Sequence, residues 1–200
     1  MSSIPLKLWI NHFFAHDVQR LQRAIDKCID RGQDALPLYI NSLGGSIISM
    51  LAMVDLIKSA PIPVATVAVG GAMSAGAELL AAGRKGLRFV APNATVMVHQ
   101  GVYAPPPMKS SDADSYNEFQ AGLEQRCFDL LDTHCGKRKG YWKKLIASRG
   151  NADVFLAAEE CVEHGLADHI GTGHFYIKPE QTAVMMPDST RKTAKKAARG

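Results

Sequence analysis

Twice in succession an apolar run meets a pair of glycines and then passes into a helix-forming stretch. Leu36–Ile40 leads through Asn41-Ser42-Leu43-Gly44-Gly45-Ser46 into a segment carrying Ile47, Met50, Leu51, Val54 and Ile57. Val64–Val69 leads through Gly70-Gly71-Ala72-Met73 into small residues from Ser74 onward. A short, continuous apolar run bounded by turn residues reads as a strand buried on both faces. Apolar residues at steps of three and four give the following helix one apolar side. Strands and helices alternating through short links predict an α/β domain with a largely parallel sheet.

The same alternation extends on both sides. Leu6–Ile10 predicts a first strand, and Asp17 is placed to cap a helix reaching to about Arg31. Val18, Leu21, Ile25 and Ile29 would form its inner face, and Gly32 would end it. Pro61 and Pro63 break the chain before the third strand, and Gly70-Gly71 predicts the turn after it. Gly83-Arg84-Lys85-Gly86 is a further turn, followed by strands at Leu87–Val90 and Thr95–His99. Pro105-Pro106-Pro107 forms a stiff, extended segment. A long helix is then expected over Asp112–His134, with Tyr116, Phe119, Leu123, Cys127, Leu130 and Leu131 inward. Gly136 and Gly140 interrupt it. Helices are expected over Tyr141–Ala147 and Phe155–His164, and a closing strand over Ala167–Ile170.

Beyond Lys178 the pattern fades, which divides the chain into a folded domain over 1–177 and a tail over 178–200. Arg191–Arg199 holds five basic residues and no acidic one. No aromatics are interleaved there, so the reading is a solvated tail rather than a nucleic-acid contact. A chain of 200 residues with 46% hydrophobic and 21% charged residues suits one domain with its own core. No apolar run approaches the roughly 20 residues that span a bilayer. Met1-Ser2-Ser3-Ile4-Pro5 is unlike a signal peptide, so a cytoplasmic location without a membrane is expected. Cys28, Cys127, Cys135 and Cys161 form no C-x-x-C pair and fit no zinc spacing, so they read as reduced thiols.

Three elements carry chemistry. In Gly70-Gly71-Ala72-Met73-Ser74-Ala75-Gly76-Ala77 a strand enters a turn of small residues and a helix leaves it. Such a turn exposes a serine hydroxyl at a helix start, where unpaired N–H groups stabilise negative charge. The alternative is close helix–sheet packing with Ser74 as an N-cap. The G-x-S-x-G elbow itself is absent, because Ala72 and Gly76 flank Ser74. Gly44-Gly45 lets backbone approach a ligand, or is an ordinary strand-to-helix turn. His99, at a strand end, has a side chain suited to taking a proton from a serine at neutral pH.

In order, Ile40–Ser46, Gly71–Ala77, Leu79-Leu80-Ala81-Ala82-Gly83 and Val96-Met97-Val98-His99-Gln100 resemble the proteolytic subunit of the Clp protease family (ClpP), over about Leu6 to Ile170. The resemblance implies the ClpP/crotonase-like α/β spiral of β-β-α units with a protruding handle helix. It implies a serine endopeptidase with Ser74 as nucleophile and His99 as base. The family aspartate precedes segments matching Phe155–Ala158 and Val162–Leu166, which selects Asp153 rather than Asp168. The oxyanion donors would be the amides of Gly45 and Ala75, and Gly44, Gly45 and Gln100 would contact substrate. No metal or organic cofactor is implied. The partners implied are unfolded polypeptides and further copies of the chain, in a heptameric ring or a stacked tetradecamer.

Three departures qualify this expectation. Leu6–Ile10 already matches the family's first strand, so the segment that lines the axial pore is expected to be missing. That counts against an AAA+ unfoldase as partner and is compatible with a phage-type maturation protease acting without an ATPase. The glycine-rich stretch expected after His99 is replaced by Gly101–Pro107. Glu78 stands where the family usually has an apolar residue. It is expected either to pair with Arg84, Lys85 or Arg88, or to be partly exposed at a subunit contact. Glu78 is also the one carboxylate available to a crotonase-like acyl-CoA hydratase or isomerase, the competing enzyme class.

Overall fold

The computed structural model describes residues 4–101 and 106–175. In chain order the elements are β1 (Leu8–Ile10), α1 (Ala15–Asp30), β2 (Leu36–Ser42), α2 (Ile47–Ser59), β3 (Val64–Met73), α3 (Ala75–Ala82) and β4 (Arg88–Val90). They continue with β5 (Thr95–Val98), α4 (Ser110–His134), α5 (Tyr141–Ser148), β6 (Val154–Leu156), α6 (Ala158–Glu163) and β7 (His169–Ile170). Parallel pairing gives the order β1-β2-β3-β4-β7. The fold is the mixed α/β spiral expected from the sequence.

β3 serves two neighbours. It pairs with β4 over Thr66–Ala68 and, further along, with β5 over Gly71–Met73. This corrects the expectation of a turn at Gly70-Gly71. Gly70 takes φ +75, and the register against β2 shifts between Ile40 and Ser42. The strand therefore bends without ending, as a bulged strand does. Asn41 anchors the bend by accepting the Gly71 N–H on Oδ1 at 3.3 Å. Beyond it, β5 pairs antiparallel with β6.

Leu36, Leu38, Ile40, Val67 and Ala68 are fully buried in the sheet. Met50, Met53 and Val54 of α2, Leu79 and Leu80 of α3, and Leu131 of α4 cover it. Burying each large aliphatic side chain contributes about 1.5–3 kcal/mol before the entropy of ordering it.

Other boundaries move for identifiable reasons. α1 begins two residues before Asp17, whose buried carboxylate accepts the Phe14 N–H at 3.2 Å and binds Arg20 at 2.7 Å. Asp17 thus ties the first turn from inside it. Ala24 and Cys28 are buried on α1, while Ile29 is exposed. Phe155 and Leu156, expected to begin a helix, belong instead to the strand Val154–Leu156. Buried Val154 and Leu156 alternate with exposed Phe155, and the free edge of β5 supplies the partner ladder. Only Ala158–Glu163 of that segment is helical.

In α4 the buried residues begin at Leu123, while Phe119 is 54% exposed, so the first part of the helix projects from the body. Of the Pro105–Pro107 segment, Pro105 lies outside the described residues. So do the 177/178 boundary and the basic tail. Among the described residues no helix is long and apolar enough to cross a membrane.

Candidate active site

Ser74 sits between the end of β3 and the start of α3, with φ 53 and ψ −115. A non-glycine residue there carries strain of order 1–3 kcal/mol, which the surroundings must hold in place. They do so through the backbone. The Ser74 N–H donates to Met97 O at 2.8 Å, and Ser74 O accepts from Ala77 N at 2.9 Å. Ser74 occupies the N-cap position, but its hydroxyl caps nothing. The side chain is thereby released for another partner.

That partner is His99. Met73 pairs with Met97, so β5 delivers the next residues alongside Ser74. His99 Nε2 lies 2.9 Å from Ser74 Oγ. Across the antiparallel ladder Val98 faces Val154, and one further step sets His99 against Asp153. His99 Nδ1 lies 3.5 Å from Asp153 Oδ1, with the aspartate side chain 50% exposed. The separation is too long for a hydrogen bond and close enough for a charge pair. Asp168, the acid not selected, is occupied elsewhere by Arg88 and by the Gly86 and Arg88 amides.

The glycine pair adjoins this turn. A Cβ on Gly44 would lie 3.0 Å from Ser74 Cβ, 3.1 Å from Met73 O and 3.5 Å from Ala75 N. Gly44 also takes φ +105, so glycine is required there on both counts. Its N–H is fixed by Ser42 Oγ at 3.1 Å. Gly45 follows in the same turn. Ala75 is the first residue of α3, so its N–H has no acceptor within the helix. Gln100 is exposed beside His99.

The profile described as Clp protease matches residues 11–174. The chain belongs to the Clp protease family. Among its relatives, proteolytic subunit 2 of the ATP-dependent Clp protease of Prochlorococcus marinus is 37% identical over 143 residues, covering 72% of this chain and 68% of that protein. Proteolytic subunit 1 from Rhodopirellula baltica is 39% identical over 140 residues, covering 68% and 58%. Proteolytic subunit 3 from a Synechococcus strain is 38% identical over 133 residues, covering 66% and 64%. The chain thus spans about three fifths to two thirds of the length of these relatives. Family membership brings it into the serine-type peptidase class.

Beside Ser74 a small cleft of about 40 Å³ opens between α2, α3 and α4. Ser74 and His99 line it together with Ile47, Met50, Val98 and Phe128. The sequence offered a partial signal for this wall. Cys127 and Leu131 belong to the stripe assigned to the inner face of α4, but Glu124 and Phe128 were not singled out.

Glu78 departs from expectation on both counts. It is 8% exposed, so it is buried within the subunit, and none of the three proposed cations pairs with it. Its Oε2 has no partner among the described residues. Burial, reinforced by the negative charge of Asp132, pushes its carboxyl well above the usual carboxylate range. The Cys127 thiol on the same wall is pushed up to about 12, chiefly by burial, so it stays protonated and is a poor nucleophile.

Proposed function

We propose that this Clp-family chain is a serine endopeptidase that hydrolyses unfolded polypeptides through Ser74, His99 and Asp153. The observation that carries the reading is the 2.9 Å approach of His99 Nε2 to a serine hydroxyl held on a strained strand-to-helix turn. His99 takes the Ser74 proton as Oγ attacks the peptide carbonyl. Asp153, 3.5 Å from Nδ1, stabilises by its charge the imidazolium that forms, and a closer approach on substrate binding would let it accept the Nδ1–H and hold that tautomer. The amides of Gly45 and Ala75 receive the developing oxyanion, aided by the positive end of α3. His99 then protonates the leaving amine, and water attacking the acyl-enzyme releases Ser74.

Gly44, Gly45 and Gln100 would hold the peptide backbone in extended form along this edge. A ring-shaped homo-oligomer, heptameric or a stacked tetradecamer, would bury the projecting half of α4 together with exposed apolar side chains such as Leu43 and Ile48. The unpaired, buried cysteines support a reducing compartment such as the cytoplasm. The relatives are named ATP-dependent. Hydrolysis at this site consumes only water, so an ATPase would serve delivery of long substrates rather than the chemistry.

An acyl-CoA hydratase would need a working carboxylate at the reacting centre. Glu78 lines the cleft, but the contact to His99 is made by Ser74. A fluorophosphonate probe should label the wild-type chain and leave Ser74→Ala unlabelled. Casein or peptide hydrolysis should fall by at least about 10³-fold in Ser74→Ala and in His99→Ala, with the oligomer preserved. Unchanged turnover in purified Ser74→Ala would overturn the reading.

A further inference from the structure

The cleft beside Ser74 has apolar walls and an acidic lining. Ile47, Met50, Val98, Phe128 and Leu131 form the walls. Glu78 and Glu124 also line it, and among the described residues no lysine or arginine does. Glu124 is satisfied, because its Oε1 accepts the Gly101 N–H at 3.1 Å. Asp132, also on α4, is satisfied by the Gly140 and Trp142 amides at 2.6 and 3.1 Å. Glu78 alone is left with an orphaned oxygen. The cation on α3's other flank, Arg88, is committed to Asp168 and to the carbonyls of Ala81 and His134.

A buried acceptor without a donor costs about 1–3 kcal/mol. Nothing in the packing of α3 requires a carboxylate at that position, since its neighbours Ala77, Leu79 and Leu80 are apolar and buried. The missing donor is therefore one that arrives with a ligand. We propose that this cleft receives the P1 side chain, the one on the acyl side of the scissile bond, and that Glu78 selects lysine there. The assignment rests on the peptidase reading of Ser74.

Lysine matches both parts of the cleft. Its four methylenes lie along the apolar walls, and its ammonium donates to Glu78, as amphipathic side chains do at such boundaries. Norleucine offers the same stem without the ammonium and leaves Glu78 unpaired. Glutamate at P1 would bring another acid to Glu78, Glu124 and Asp132. In the empty cleft burial and the charge of Asp132 disfavour ionisation of Glu78. The other titratable groups facing it from α4 and the strand ends are Glu124, the Cys127 and Cys135 thiols and His99. An arriving ammonium reverses the balance by supplying the counter-charge. Sites built to bond a polar group reject the analogue that lacks it.

The test uses fluorogenic peptides identical except at P1, carrying lysine, norleucine or glutamate, with the assembled wild-type protein, Glu78→Gln and Glu78→Met. The wild type should cleave the lysine peptide with kcat/KM at least about tenfold above norleucine, and glutamate should be the poorest. Glu78→Met should invert the lysine–norleucine order. Glu78→Gln, nearly isosteric, should lose most of the lysine advantage while still cleaving norleucine. Fluorophosphonate titration of Ser74 normalises each sample and is blind to P1. Efficient labelling with norleucine equal to or better than lysine in the wild type, or an unchanged ratio in Glu78→Met, overturns the pocket assignment and leaves the peptidase standing. No labelling and no hydrolysis in the wild type overturns both.

Discussion

Two carboxylates near opposite ends of α3 meet opposite fates. Asp168 is opposed by burial, yet the hydrogen bonds and charge of Arg88 and the amides of Gly86 and Arg88 outweigh that and hold it below the usual carboxylate range. Glu78 is more deeply buried and has no cation, so the same desolvation goes unanswered and its carboxyl rises. Burial alone therefore does not decide the state of an acid in this molecule; the donors around it do. Arg88 and Asp168 tie β4 to β7 and to the carbonyl at the end of α4. Glu78 ties nothing, and it lies on the wall of the cleft that Ser74 opens into.

Removing the cation from the first region should make it resemble the second. Arg88→Ala leaves Asp168 without its partner and should destabilise the fold by roughly 3–5 kcal/mol, read from urea unfolding. A loss under 1 kcal/mol would mean that the amides alone satisfy Asp168.

Asp153 is an intermediate case, half exposed and 3.5 Å from its imidazole. Asp153→Asn should lower kcat by about 10²-fold, short of the roughly 10⁴-fold seen for a fully buried triad aspartate. Thermal stability should be unchanged, because so exposed a group contributes little to folding.

Converting the second region toward an ordinary core gives a smaller effect of opposite sign. Glu78→Met should raise Tm at pH 7.5 by about 2–4 °C, which corresponds to about 1 kcal/mol in a chain of this size. The pH dependence has a defined sign. A raised folded-state value favours the folded form below the usual 4.5, and that advantage is lost as pH rises through the raised value. The wild type should therefore lose stability on going from acid toward neutral pH, and Glu78→Met should lack that slope.

His134 supplies the mirror image. Burial, with Lys58 and Arg88 nearby, lowers its pKa to about 4. Its contribution is present above 6.5 and is lost as pH falls toward about 4. His134→Leu should flatten the acid limb of the melting curve by under about 2 °C, the smallest of these changes.

Much of this was legible because local signals and tertiary structure agreed. The strands at Leu36–Ile40 and Val64–Val69 announce themselves by apolar runs, and Ser74 and His99 by the motifs around them. Asp153 was legible only through family segments, since nothing in Asn151-Ala152-Asp153 marks an acid that a ladder will set opposite a histidine. Val154–Leu156 misled because three residues beside a helix-forming stretch carry too little periodicity to outweigh it, and the free edge of β5 is invisible in one dimension. Gly70-Gly71 misled because a glycine at positive φ serves a turn and a bulge equally well. The isolation of Glu78 was hidden because nearby arginines in sequence say nothing about which acid they reach.

The double pairing of β3 has a consequence for how this centre tolerates change. Ser74, His99 and Asp153 each stand one residue beyond the paired ends of β3, β5 and β6 in one hydrogen-bonded lattice, and side chains on such a lattice alternate in direction. A single codon inserted between Thr95 and Val98 would not merely loosen the imidazole; it would point it to the opposite side. Length variation along β5 should thus come in two-residue steps, while loops away from the lattice remain free to lengthen or shorten.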